Sequence, residues 1–190
     1  MDPDPIQVAL RVTSIFEEMG VPYFITGSIA SALHGMVRTT QDVDIVARLS
    51  PNQVERLVRD LKEEFFIDEE MIRSAVARES SFNIIHRDTL FKVDVFVPRD
   101  DRFTQSQFSR TQKAELSEDS RMQAMVASPE DTVLSKLLWY RQGGEVSERQ
   151  WRDILGLLKV QGKGLDLEYL GQTSVELNVA DLLEKALKER

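Results

Sequence analysis

The chain contains no cysteine among its 190 residues, which excludes both a disulfide framework and a thiolate-ligated metal site. Histidine is nearly absent as well, and His86 has no companion that suggests a ligand set. No apolar run is long enough for a membrane span, and the opening MDPDPIQ does not read as a signal peptide. The expectation is a protein with no membrane partner, in a reducing, cytoplasmic setting. Positive charge is scarce: 24 Lys and Arg stand against 32 Asp and Glu, a net charge of -8. That argues against a broad nucleic-acid surface and leaves room for local contact with a tRNA end. There is no internal repeat or low-complexity tract. This length suits one domain, or one domain with a helical extension, that buries roughly 70% of its unfolded surface.

What is present centres on three carboxylates. Gly27-Ser28 is followed by thirteen residues and then Asp42-Val43-Asp44. A second strand-like run, Leu90 to Val97, supplies Asp94. Tyr23 to Thr26 reads as a short strand after Pro22, and Ile29 to His34 as a short helix ending at Gly35. Ser28 is expected as its N-cap, where the freed backbone N–H groups attract anions and Gly27 allows a phosphate to approach closely. Asp42 and Asp44, two apart in a strand, point to one face while Val43 and Ile45 point to the other. Asp94 shares its face with Lys92, opposite an apolar face of Phe91, Val93, Val95 and Val97. Three acids in one site repel, which raises at least one pKa, and a hard divalent cation relieves that repulsion. Taken alone, an Asp-x-Asp pair also suits an exposed strand end, and Asp94 alone suits a partner such as Lys92 or an arginine.

Strand and helix patterns then follow without long linkers. Asp4-Pro5 opens a helix with Val8, Val12, Ile15, Phe16 and Met19 on one side, and Ser50-Pro51 opens another with Val54, Leu57, Val58 and Leu61. A polar helix is expected over 68–79, a hairpin over 81–97 and a further strand over 121–127. Beyond Ser128-Pro129 the pattern is wholly helical. These patterns predict an α/β fold with residues 1–127 as core and 128–190 as a helical part packed on it.

Strand, Gly-Ser, helix, Asp-x-Asp strand and second acidic strand together resemble the DNA polymerase β-like nucleotidyltransferase superfamily. Thr26 replaces the apolar residue that usually precedes the glycine. Arg38-Thr39-Thr40-Gln41-Asp42, Pro129-Glu130-Asp131 with Lys136, and Arg152-Asp153 are similar to the abortive-infection toxin group (AbiEii-like) and its relatives. The run Arg149 to Asp153 lacks that group's second acid. The resemblance implies a mixed sheet flanked by helices and a metal-dependent transfer of a nucleoside monophosphate from a nucleoside triphosphate to a hydroxyl, with release of pyrophosphate. It implies Asp42, Asp44 and Asp94 as catalytic ligands of Mg²⁺ or Mn²⁺, and Gly27, Ser28, Arg38 and Lys136 as nucleotide-binding residues. The acceptor stays open among a tRNA end, a protein hydroxyl and a small alcohol such as an antibiotic. A non-catalytic component of a toxin–antitoxin-like pair, with a protein partner, is the alternative.

Lys136 falls just beside the apolar arc of Val133, Leu134, Leu137, Leu138 and Tyr140. From there a lysine either projects its ammonium into a cleft or lies solvated on the flank, and its removal is expected to leave stability almost unchanged. Asp153 is four residues from Arg149, and a surface pair between them is the simpler reading. His34 reads more as a structural hydrogen-bonding group than as a phosphate contact, and Trp139 and Trp151 as packing residues.

Overall fold

The computed structural model describes residues 5–34, 42–116 and 123–190. The opening helix α1 (Pro5–Glu18) carries the predicted stripe, with Val8, Val12, Ile15 and Phe16 buried. Strand β1 (Tyr23–Thr26) leads straight into α2 (Gly27–Leu33), and β2 (Asp42–Ala47) follows. Helix α3 (Val54–Leu61) buries Val54, Leu57 and Leu61. Strand β3 (Phe65–Phe66) is a two-residue edge strand.

Helix α4 (Glu69–Arg78) has clear signals at both ends. Asp68 Oδ1 accepts from Met71 N at 2.7 Å, which satisfies one free N–H of the first turn. At the other end Glu79 turns the chain out with a left-handed φ of 49°. Strands β4 (Ser81–His86) and β5 (Lys92–Phe96) form the expected hairpin. Helix α5 (Arg102–Ser109) and strand β6 (Gln112–Glu115) are not anticipated from the sequence pattern, while β7 (Gln123–Val126) is. The chain ends in α6 (Pro129–Gln142), α7 (Glu148–Gln161), α8 (Leu167–Glu176) and α9 (Ala180–Glu189).

Among the described residues the strands make one mixed, seven-stranded sheet in the order β3-β4-β5-β2-β1-β7-β6. β2 runs parallel to β5 and antiparallel to β1, and β1 runs parallel to β7. One face is apolar: Val43, Ile45, Phe82, Ile84, Val93 and Val95 join one buried cluster with α1, α3 and α4. A second cluster, including Leu134, Leu137, Ile154, Leu158, Leu170 and Leu182, is built from α6 to α9. No helix among the described residues is long and apolar enough to cross a membrane.

A polar hub, buried at Glu130 and Asp131, joins the sheet part to the helices. Arg110, at the end of α5, places its guanidinium 3.9 Å from the Tyr169 ring centroid. Its nitrogens reach Glu130 at 3.2 Å and Asp131 and Asp166 at 3.9 Å. Tyr169 donates its hydroxyl to Asp131 Oδ1 at 2.6 Å, and Ser128, the N-cap of α6, donates to Asp131 Oδ2 at 2.8 Å. Burial nonetheless pushes the Asp131 carboxyl above its ordinary range. The Pro129-Glu130-Asp131 motif therefore faces this hub and helps fasten α6.

Candidate active site

Strand register builds the site. Directly opposed residues of neighbouring strands share a face. Asn83 of β4, Asp94 of β5, Asp44 of β2 and Thr26 of β1 form one row across the sheet. The adjacent row holds Phe66 of β3, Ile85, Lys92 and Asp42. The parallel pairing of β2 with β5 thus brings Asp42, Asp44 and Asp94 to one face, as their spacing predicts.

Asp44 lies at the centre and bears the strain of that arrangement. Its pKa is pushed up to about 6, first by burial and then by Asp42 and Asp94, while Lys136 and Lys92 pull it back. Lys92 binds Asp94 Oδ2 at 2.6 Å, a contact that raises the pKa of its own ammonium. In chemical kind, hard carboxylate oxygens suit Mg²⁺ or Mn²⁺, and the raised pKa of Asp44 is the kind of penalty that a cation relieves. Among the described residues, no three His, Cys, Asp or Glu side chains are gathered closely enough to grip an ion. In this arrangement the cation in contact with Asp94 is the Lys92 ammonium.

Gly27 stands against the Asp44 carboxylate. Its φ is 64°, and a Cβ built there would collide with Asp44 Oδ2. Only a glycine accommodates both the left-handed turn and this close approach. Gly27→Ala is expected to destabilise the fold by about 2 kcal/mol or more, combining backbone strain with the collision. A urea unfolding midpoint unchanged from wild type would mean that the two groups do not meet.

Ser28 departs from expectation. Because Gly27 turns the strand directly into α2, the N-cap is Thr26, which makes no side-chain capping bond, and Ser28 is the second helical residue. Arg38 lies outside the described residues. His34 is structural: its Nε2 is 2.9 Å from Ala127 O, and Gln161 donates to His34 O at 2.8 Å.

Lys136 is neither flank nor solvated. It is only 8% exposed, and its Nζ donates to Asp153 Oδ2 at 3.1 Å. Helix α7 packs against α6, which makes Lys136 a partner of Asp153 where the sequence suggests Arg149. A rule of neighbours within one helix does not see a partner on the next. The ammonium is near enough to Asp44 to lower its pKa, so the helical part contributes charge to the acidic face. Trp139 packs against Phe96 of β5 with ring centroids 5.6 Å apart, and Trp151 against Tyr140 at 5.2 Å, in line with their expected packing roles.

No protein-family model and no curated protein sequence matches the chain. Solved structures do match in shape. An antigenic nucleotidyltransferase-like protein from Paracoccidioides brasiliensis is 16% identical with a TM-score of 0.55, over 97% of this chain and 92% of that one. The antibiotic-resistance factor ANT(2'')-Ia in solution is 12% identical with a TM-score of 0.57, over 99% of this chain and all of that one. The crystal structure of ANT(2'')-Ia in complex with adenylyl-2''-tobramycin is 11% identical with a TM-score of 0.60, over 91% of this chain and 96% of that one. At such identities the likeness is one of architecture, and by its architecture the chain has the polymerase β-like nucleotidyltransferase fold.

Proposed function

We propose that the protein is a nucleotidyltransferase that moves a nucleoside monophosphate from a nucleoside triphosphate to a hydroxyl acceptor. The observation that carries this reading is the shared face of Asp42, Asp44 and Asp94, with Gly27 against Asp44 and the charge of Lys136 near enough to lower the Asp44 pKa. A structural scaffold has no physical need for three carboxylates on one sheet face, the central one raised in pKa. The match in fold to ANT(2'')-Ia, seen in complex with adenylyl-2''-tobramycin, supports the reaction class.

Asp42, Asp44 and Asp94 would hold Mg²⁺ or Mn²⁺, which when bound supplies charge stabilisation to the entering and leaving oxygens. Gly27 and Ser28 border the triphosphate, and Lys136 neutralises part of its charge. The acceptor oxygen forms a bond to the α-phosphorus. The bond from that phosphorus to the bridging oxygen breaks, and pyrophosphate leaves with the electron pair. The hydroxyl proton passes to the Asp94 carboxylate. Most of the acceleration then comes from positioning and preorganised charge. The toxin-like, non-catalytic alternative rests on the sequence resemblance alone.

Two measurements test this reading. Calorimetric titration with a non-hydrolysable triphosphate should give binding in Mg²⁺ and lose it in EDTA, and equal affinity in both would remove the metal. Incubation with each α-labelled triphosphate, Mg²⁺ and cell extract should label an acceptor; absence of label from all four would refute transfer.

A further inference from the structure

The acid-bearing face of the sheet does not end at Asp94. Across β4 and β3 the same face continues through Asn83, Ile85 and Phe66, each in register with its neighbour. Here it opens into a pocket of about 340 Å³ lined by these three residues together with Ile67, Asp68, Met71 and Arg87. That volume is within the range of small-molecule sites, roughly 300–1,000 Å³.

The lining is unusual for a solvated sheet edge. Phe66 is 52% exposed and Met71 38%. Arg87 lies over the Phe66 ring at 4.3 Å and donates to Lys62 O at 3.2 Å, so it braces the ring from one side. A half-exposed aromatic ring braced by a guanidinium, next to an adaptable thioether, offers a stacking platform for a flat apolar group. Asn83, beside Asp94 in its row, offers an amide for a polar substituent. From strand spacing and rise, Phe66 and Asp94 are roughly 12 Å apart between Cα atoms.

We infer that this pocket is the acceptor subsite, and that the acceptor is a compact alcohol with its hydroxyl at Asp94 and a planar apolar ring on Phe66. The inference rests on the nucleotidyl transfer proposed above and names the acceptor class for it. Charge favours a compact molecule over a polynucleotide. The chain has a net charge of -8, Arg87 is engaged with Phe66 and Lys62, and Lys92 is held by Asp94. Neither cation is set to receive a run of phosphates.

The test uses the full chain with isotope-labelled methionine methyl groups, the Met71 signal being assigned through Met71→Leu. The probe is phenylhexanol, with hexanediol as the ringless control and a CCA trinucleotide as the nucleic-acid arm. Phenylhexanol should shift the Met71 methyl saturably and hexanediol should not. Phe66→Ala and Phe66→Leu should both abolish the shift while triphosphate affinity stays at the wild-type value, the leucine variant keeping apolar bulk so that folding is not at issue. With triphosphate and Mg²⁺, phenylhexanol should become its nucleoside monophosphate ester. No Met71 shift, an equal shift from hexanediol, or a shift from the trinucleotide in place of phenylhexanol overturns the subsite. A Met71 shift with no ester from any triphosphate refutes the transfer reading and with it the acceptor role. Ester formed without a Met71 shift leaves transfer standing and removes this pocket from it.

Discussion

Asp44→Asn should abolish nucleotidyl transfer and, without divalent cation at neutral pH, make the protein harder to unfold. Loss of a carboxylate at the reacting centre is expected to lower the rate by on the order of 10²–10³-fold, as for other preorganised groups there. The gain in stability follows from the pKa. Asp44 titrates at about 6 in the fold against an ordinary value of 3.8. Between those values the folded chain holds more protons than the unfolded chain, so stability falls as pH rises through this window. Above it, ionised Asp44 costs about 2–3 kcal/mol. Asparagine keeps the shape and carries no charge, so the cost disappears. For a chain of this size that is roughly 4–12 °C in unfolding temperature at pH 7, with no difference near pH 3. Added Mg²⁺ should raise the wild-type temperature and leave the variant where it is. Thermal unfolding across pH decides the matter, and parallel profiles for the two proteins would show that Asp44 is not strained.

Lys136→Met should lower transfer by about 10²-fold and also destabilise the fold. The second effect reverses the sequence expectation of an unaffected stability. Lys136 and Asp153 form a pair with side chains only 10% and 14% exposed. Removing Lys136 takes a cationic partner away from a largely buried Asp153, at a cost of up to about 3 kcal/mol. Lys136→Met with Asp153→Asn should recover most of that stability and none of the transfer. Denaturant unfolding and turnover of the three variants separate the roles. Full recovery of transfer in the double variant would show that Lys136 acts only by neutralising Asp153.

The features legible in the sequence are those with a short period. Asp42 and Asp44 alternate with Val43 and Ile45, and Asp94 with Val93 and Val95, so their facing follows from strand pleating alone. The helix after Asp68 and the helices after Ser128 and Ser147 carry side-chain caps at their starts. What was hidden depends on partners far away in the chain. The stretch 102–115 has no apolar period, and α5 is located by Phe108 packing on Phe24 with ring centroids 5.0 Å apart. Strand β3 is two residues long and exists because β4 pairs with it. Lys136 meets Asp153 only because α7 returns along α6, and Gly27 meets Asp44 only because β1 and β2 lie side by side.

The Arg110 hub limits how this chain can be recombined. The guanidinium is supplied from before Ala127, while Glu130, Asp131, Asp166 and Tyr169 come from after it. A chimera spliced between residues 111 and 128 would separate donor from acceptors. A foreign sheet part lacking the arginine would leave acids inside without their cation, and a foreign helical part would leave the arginine without them. The unit of exchange therefore spans the step from β7 to α6: any shuffled segment has to carry the cation and its acids together.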